Sequence, residues 1–311
     1  MLGGIARRAG PLALVVVTGL GWGLLAVGSK VLFAAEPAVF NGTTVALARG
    51  LWSLPFFLFG LGVAWRLEPP KLDARRWLLI LAAGIVFGPG VSLLYTLAAQ
   101  HTSVAHITFL LGVSPVTNTA AAALVFRKAL DRRSWLALAL GVAGIVLLAL
   151  TRRAEGASPA GDLLMLGWLV TFAAYACLLR AVGAGISSTL LMCLVGTIAM
   201  IALVVPQLAA SVFASAHVAD TPALAWWFFG EIILGSTLVA QTTYAAAVRR
   251  LGVAVATIGT EYTALVVGIV ASLLSREAWT PLTALAAAAF CSALAVTFVP
   301  SRRRLKARRS G

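Results

Sequence analysis

The sequence predicts an all-α integral membrane protein whose ten transmembrane helices form two inverted five-helix repeats. Three observations support this fold class: the composition, a series of apolar runs, and residues that recur between the two halves. Of the 311 residues, 61% are hydrophobic and only 11% are charged. Because soluble domains devote about a quarter of their residues to Asp, Glu, Lys and Arg, we expect this chain to have the lipid bilayer as its main partner.

The apolar runs give the predicted helices in order. Each run is long enough to cross a bilayer, which takes about 17 to 25 helical residues. We expect transmembrane helices at 11–33, 38–64, 77–99, 104–126, 134–151, 162–182, 186–208, 224–247, 252–274 and 280–300. No small-residue cleavage site follows the first run, so it is predicted to be a retained helix rather than a signal peptide.

The basic residues predict the orientation. Outside the predicted helices, the Lys and Arg residues fall on one side of the membrane, except for Arg152, Arg153 and Arg276. Since cytoplasmic loops carry such an excess, we predict a multi-pass protein of the cell (inner) membrane with both termini in the cytoplasm. The net charge of +14 does not indicate nucleic acid binding, because the cations are divided among short loops instead of forming one patch.

Several residues recur between the halves. The tripeptide Leu-Gly-Trp ends at Trp22 and again at Trp168, Tyr95 recurs as Tyr244, and "SVA" at 103–105 recurs as "GVA" at 252–254. We therefore divide the chain into a first repeat at 1–151, a second repeat at 152–300 and a basic cytoplasmic tail at 301–311. Five helices per repeat place the second copy upside down, which is typical of secondary transporters.

The motifs resemble a known family. "WGLLAVGSK" from Trp22, "ALARG" around Arg49, "YTLAAQHTSVAHITFLLGVSPV" from Tyr95 and "LGVAVAT" from Leu251 are similar to EamA-type members of the drug/metabolite transporter superfamily. The resemblance covers nearly the whole chain. It implies a ten-helix, two-repeat transporter with a central cavity, and many such proteins export amino acids, other metabolites or toxic compounds.

The chain departs from the family pattern at two places. Lys128 stands where the family often has the Glu of a Gly-Glu pair after the fourth helix, while the matching Glu277 is kept after the ninth. The Glu-Pro pair expected in the ninth helix is replaced by Thr263-Ala264, and Glu261 lies two residues earlier. These differences place the chain outside the best-known exporter branches.

A charge at the centre of the bilayer costs on the order of 3 kcal/mol on insertion scales, so Lys30, Arg49, Glu231 and Glu261 need an explanation. Lys30 lies near the outer end of the first predicted helix, where its long side chain is expected to reach the interface rather than contact substrate. For Glu261 two interpretations remain: a buried ion pair with Arg49, or a carboxyl that binds a proton or a cationic substrate. By resemblance, Arg49 is expected to have a structural or gating role. For Glu231, nearer the outer interface, we consider a water-exposed role or proton coupling.

Helix-breaking and aromatic residues predict the substrate site. Gly88, Pro89 and Gly90 in the third predicted helix and Pro115 in the fourth are expected to form kinks that either line a cavity or serve helix packing. The candidate cavity residues are Trp22, Tyr95, Pro115, Asn118, Tyr175, Gln241 and Tyr262. The aromatic members of this set could instead pack against lipid. His106 is expected to form an ordinary hydrogen bond at the outer mouth.

The sequence favours a secondary transporter, predicted to export a small metabolite such as an amino acid or a related compound by alternating access, with proton coupling as an option. An uncoupled facilitator or a drug efflux carrier is the alternative. A lipid-modifying membrane enzyme is less favoured, because the inner loops lack clusters of acidic or His residues. We expect no catalytic residue, metal or cofactor, and leave the oligomeric state open, with a monomer as a plausible form.

Overall fold

The computed structural model describes residues 2–35, 37, 39–70, 72–127, 129–130, 132–155, 158–182, 186–208, 222–251, 253–274 and 279–298. Within these residues every regular element is helical. The predicted basic tail at 301–311 lies outside them, as do Lys128, Arg276 and Glu277, on which parts of the topology and family arguments depend.

Twelve α-helices lie in the described part of the chain. They are α1 (Leu2–Ala35), α2 (Gly42–Leu67), α3 (Ala74–Ile85), α4 (Leu94–His101), α5 (Val104–Val125), α6 (Arg132–Glu155), α7 (Pro159–Val182), α8 (Ser188–Leu208), α9 (Ala223–Gly230), α10 (Ala240–Leu251), α11 (Val253–Leu274) and α12 (Pro281–Phe298). Two π-helical segments, Val86–Leu93 and Glu231–Val239, join α3 to α4 and α9 to α10 without a break. Most helix ends lie within a few residues of the predicted ends, but α1 begins at Leu2 rather than at residue 11.

Seven helical stretches of the described chain are long and apolar enough to cross a membrane. They are Leu12–Ala35, Gly42–Leu67, Ala74–His101, Val104–Val125, Pro159–Val182, Ser188–Val205 and Ala223–Tyr244. Shorter apolar helices cover Gly259–Leu274 and Pro281–Ala293. Large apolar side chains such as Phe59, Leu78 and Val170 are exposed on the outside of these helices. The chain is therefore an all-helical, multi-pass membrane protein.

A helix cap explains why α2 begins at Gly42 and not at residue 38. The side chain of Asn41 accepts hydrogen bonds from the backbone N–H groups of Thr43 and Thr44, and the Thr44 hydroxyl accepts one from the Asn41 N–H. This reciprocal arrangement satisfies N–H groups that the first turn of a helix leaves unpaired. The "NGT" at Asn41 is thus part of a capping box.

The predicted kink sites lie in continuous helices. Gly88, Pro89 and Gly90 fall inside the first π-helical segment, and Pro115 lies inside α5. The π-helical geometry accommodates Pro89 without unwinding the helix. A π-helical turn is itself a recognised cause of a kink. The bend at these positions stays a prediction.

The helices pair in a pattern that has the same form in both halves. α1 packs against α11 and α10, and α7 packs against α5 and α4. α2 packs against α8, and α6 against α12. Close approach depends on glycine: a Cβ at Gly88 would overlap the carbonyl oxygen of Ala199 in α8, and one at Gly23 would press on Val267 in α11.

Candidate functional site

A small internal cavity lies between helices of both halves. Its volume is about 40 Å³, and its walls are Trp22, Leu25, Arg49, Phe87, Val91, Tyr95, Leu111, Trp168, Phe172 and Gln241. These residues come from α1, α2, α4, α5, α7, α10 and the first π-helical segment. A single water needs roughly 10–15 Å³ of such volume, so the cavity holds only a few water-sized groups in this conformation.

One side of the cavity is a wall of aromatic rings. Trp168 and Phe172, one turn apart on α7, stack with ring centroids 4.9 Å apart and an interplanar angle of 9°. Trp22 meets Phe172 edge-on at 6.2 Å, and Tyr95 meets Trp168 at 6.1 Å. Such pairs hold one another in fixed orientations, and the wall they form is flat and apolar.

The polar part of the cavity is built around Arg49. Its side chain is buried, and Nε donates a hydrogen bond of 2.5 Å to the hydroxyl of Thr237. The terminal nitrogens of the guanidinium group have no hydrogen-bond partner among the described residues. Tyr95 and Glu231 both lie close enough to interact electrostatically with Arg49. The Tyr95 hydroxyl is buried and has no hydrogen-bond partner either.

Of the seven predicted cavity residues, the structure brings three to this cavity: Trp22, Tyr95 and Gln241. Arg49 joins them. Tyr175 lies one layer behind, where its ring stacks on Phe87 at 4.9 Å. Tyr262 is 50% exposed on the outer surface of α11, because it is one residue from the buried Glu261 and successive helical residues point about 100° apart.

Pro115 and Asn118 lie on α5 but do not line this cavity. Pro115 is buried, and Asn118 is half-buried with an amide oxygen that has no hydrogen-bond partner. They follow Leu111, the α5 residue that does reach the cavity, by one and two helical turns. Their position therefore places them farther along α5, near Ser114.

Glu261 lies in a second polar region between α5 and α11. Its side chain is 1% exposed and neither carboxyl oxygen has a hydrogen-bond partner. The Ser114 hydroxyl lies close enough to interact with it, although the two do not form a hydrogen bond of good geometry. The Tyr244 hydroxyl shares a 2.6 Å hydrogen bond with Thr257 and lies close enough to Glu261 for the two to interact electrostatically. Among the described residues, Glu261 and Arg49 do not form an ion pair. The structure therefore does not support the ion-pair interpretation of Glu261.

The carboxyl group of Glu231 is not exposed to water, although a water-exposed role was one of the two considered for it. Both of its carboxyl oxygens are buried and lack hydrogen bonds. It begins the second π-helical segment, and a Cβ at Gly235 would lie 2.8 Å from its Oε1, so the side chain folds back along its own helix. Glu231, rather than Glu261, is therefore the carboxyl that lies close enough to interact electrostatically with Arg49, without a salt bridge between them.

Sequence reasoning did not select Trp168, Phe172 and Phe87 as cavity residues. For Trp168 a signal was present, because it is the repeat partner of Trp22 in the Leu-Gly-Trp motif. Phe172 follows Trp168 by one turn, and its role could have been inferred from that spacing. Phe87 gave no signal, since a Phe in an apolar helix looks the same whether it contacts lipid or a neighbouring helix.

A polar clasp lies at one end of the cavity helices. We define it as Thr102, His106 and Asp162. The Thr102 hydroxyl donates to Asp162 Oδ1 at 3.0 Å, and His106 Nδ1 lies 3.1 Å from the same oxygen. The predicted hydrogen bonding of His106 is confirmed. The clasp joins the start of α5 to the start of α7, and both helices contribute a cavity residue farther along.

The described residues contain no group of three or more His, Cys, Asp or Glu side chains that could hold a metal ion. A crystal structure of another protein superposes on this chain with a TM-score of 0.63, covering 94% of this chain and 97% of that one at 18% sequence identity. At this identity the likeness establishes the fold alone. A search among curated proteins finds no match.

The model of the EamA-like transporter family matches residues 10–150. This segment contains most of α1, all of α2 to α5, most of α6, and seven of the ten residues that line the cavity. Residues 10–150 are therefore similar to the EamA-like transporter family, which is part of the drug/metabolite transporter superfamily.

Proposed function

We propose that this protein is a secondary transporter that moves a small metabolite, such as an amino acid or a related compound, across the membrane by alternating access. The observation that carries the proposal is the cavity, whose walls come from helices of both halves. In such transporters one set of helices rocks against the other around a central site. The cavity has a volume of about 40 Å³ in this conformation, and separation of the helices at either end would enlarge it for substrate.

The proposed architecture is ten transmembrane helices in two inverted repeats, 1–151 and 152–300. Repeat-related residues support it: Trp22 contacts Tyr244 with centroids 5.1 Å apart, as Trp168 contacts Tyr95 at 6.1 Å. The pairing of α1 with α11 likewise mirrors that of α7 with α5. Both π-helical segments lie in the middle of corresponding long helices.

The direction of transport is proposed to be outward, across the inner membrane, with both termini in the cytoplasm. Two lines of reasoning support this part of the proposal. The excess of Lys and Arg in one set of loops favours a cytoplasmic location for that set. The family resemblance favours export of a metabolite.

Glu261 is proposed to couple transport to protons. A buried carboxyl without an ion pair or hydrogen bond, facing Ser114 between two helices, is suited to bind and release a proton as its surroundings change. α11 also packs against α1, which carries the cavity residue Trp22. Movement of α11 would therefore affect both the carboxyl and the cavity.

Metabolite levels in cells test the transport proposal. A deletion strain and an overexpressing strain are compared across amino acids, dipeptides, nucleosides and cationic drugs, with Glu261→Gln beside the wild type and the exposed Glu68→Gln as a matched control. We expect the intracellular level of at least one compound to fall on overexpression. If no compound moves in either direction although the protein is inserted, the transport function is wrong.

The Glu261→Gln variant tests coupling separately. We expect it to lower export of that compound by about tenfold or more and to remove the dependence of flux on an imposed pH gradient in proteoliposomes, while Glu68→Gln behaves as the wild type. Normal, pH-gradient-dependent flux through Glu261→Gln would show that this carboxyl does not carry the proton. Flux that never depended on the gradient would identify an uncoupled facilitator.

A further inference from the structure

The polar groups that line the cavity share one property: each can donate a hydrogen bond. They are the Arg49 guanidinium, the Tyr95 hydroxyl and the Gln241 amide. The lining contains no carboxylate side chain, and its remaining residues are aromatic or aliphatic. A site with this set of donors is suited to a ligand that brings the acceptors.

Arg49 and Tyr95 have unused donors at the same place. The guanidinium uses Nε for Thr237, which leaves the N–H groups of both terminal nitrogens without a partner among the described residues. The Tyr95 hydroxyl is buried without a partner and lies close enough to Arg49 for the two to interact electrostatically. An arginine fork next to a phenol hydroxyl matches the two oxygens of one carboxylate.

The charges around this site favour a single negative charge on the ligand. Arg49 is the only charged residue of the described lining, and Glu231, which interacts with it electrostatically, does not line the cavity. A dianionic phosphate would lose the hydration of two negative charges in an apolar cavity, and one arginine with neutral donors would not compensate for that cost. An ammonium group would meet no acidic partner there.

The rest of the lining selects the body of the ligand. Trp168 and Phe172 present stacked rings, and Trp22 closes the wall edge-on. A planar, apolar group fits against such a wall with favourable ring contacts. Bulky polar groups such as sugars would leave their hydroxyls unpaired against it.

We propose that the cavity recognises a monocarboxylate with a flat apolar body and no amine, its carboxylate held by Arg49 and Tyr95 and its body against the Trp22–Trp168–Phe172 wall. This inference rests on the proposed transport function and narrows its substrate class to carboxylates that are related to amino acids but carry no amine. Charged hydrogen bonds of this kind are worth enough to change affinity by about tenfold or more each.

Binding to the purified full-length protein in lipid nanodiscs tests the proposal by calorimetric titration. The probes are phenylacetate, its neutral isostere phenylacetamide, the cation phenethylamine, the zwitterion phenylalanine, and phenyl phosphate. We expect phenylacetate to bind at least about tenfold more tightly than each of the others. Tighter or equal binding of the amide, the amine, phenylalanine or phenyl phosphate, or no binding of phenylacetate at millimolar concentration, would overturn the proposal.

Variants test whether the preference for phenylacetate depends on Arg49 and Tyr95. Arg49→Gln is expected to remove the advantage of phenylacetate over phenylacetamide, and Arg49→Lys to restore only part of it. Because Arg49→Gln leaves Glu231 without its charged neighbour and could fail to fold, Tyr95→Phe is the second variant, with an expected loss of about tenfold. The control is Tyr244→Phe, the repeat partner of Tyr95, whose hydroxyl is bonded to Thr257 outside the cavity.

The experiments distinguish failure of the transport proposal from failure of the carboxylate-site proposal. If the cellular panel reveals export of a compound that is not a carboxylate, and phenylacetate does not bind, transport stands and the carboxylate site is overturned. If Tyr95→Phe and Tyr244→Phe weaken phenylacetate binding equally, the Tyr95 hydroxyl is not a specific ligand contact and the proposed site is wrong.

Discussion

Single glycines decide how closely the long helices approach one another. Gly88 lies where the first π-helical segment meets α8, and a Cβ there would overlap the Ala199 carbonyl oxygen and its Cα. Gly62 in α2 has open space around the same position. The two sites therefore separate the effect of crowding from the general effect of adding a methyl group to a helix.

We expect Gly88→Ala to lower the free energy of unfolding by about 1–3 kcal/mol, the usual cost of overpacking. Gly62→Ala should leave stability unchanged or raise it slightly, since alanine is the better helix former. The midpoint of unfolding in a detergent denaturation series measures both. Equal midpoints for Gly88→Ala and Gly62→Ala would contradict the close contact with Ala199.

The sequence identified several buried or cavity-lining residues because their residue types are rare in membrane helices. Arg49, Glu231 and Glu261 stood out as charges. Arg49 and Glu261 are buried, as are the carboxyl oxygens of Glu231, and Trp22 and Tyr95 line the cavity. The sequence prediction was wrong in placing Tyr262 in the cavity, since this residue is exposed. Tyr262 is next to the buried Glu261 in sequence, and only the orientation of the helix determines which of the two faces inward. Which carboxyl faces Arg49 depends on how distant helices are arranged, so the sequence could not give it.

At the scale of elements, short polar residues set several helix starts. Asn41, Asp73 and Ser103 each accept hydrogen bonds from the first turn of the helix that follows. The hydropathy pattern alone could not place these starts, since it averages over many residues. Capping chemistry locates them within a residue or two.

The clasp formed by Thr102, His106 and Asp162 joins two helix starts that are far apart in sequence. His106 precedes the cavity residue Leu111 by about 7.5 Å along α5, and Asp162 precedes Trp168 by about 9 Å along α7, at 1.5 Å per residue. A contact at this place holds the two walls of the cavity together at one end.

We expect Asp162→Ala to open that end of the cavity, because it removes the acceptor that both Thr102 and His106 approach. A Leu111→Cys reporter, in a background without Cys177, Cys193 and Cys291, should react several-fold faster with a maleimide. The control is Asp73→Ala, which removes one exposed cap bond on α3. Unchanged labelling with Asp162→Ala would show that the clasp does not restrict access.

At the scale of the whole molecule, the inverted-repeat proposal makes a prediction about topology. An odd number of helices in each repeat inverts the second copy, and an even total returns the chain to its starting side. Fusion of green fluorescent protein to the C-terminus should therefore fluoresce, and fusion of alkaline phosphatase there should be inactive. Fusion after residue 155, between the repeats, should give the opposite pair of results. Any other combination would contradict ten helices with cytoplasmic termini.

The two π-helical segments have a consequence for the cavity. Tyr95 and Gln241 each come within two residues after one of them. A π-helical turn accommodates one residue more than an α-helical turn. If either segment rewound into regular α-helix, the residues beyond it would shift by one position, a rotation of about 100°. Such a register shift would turn Tyr95 or Gln241 away from Arg49 and release a bound group without any helix exchanging its neighbours.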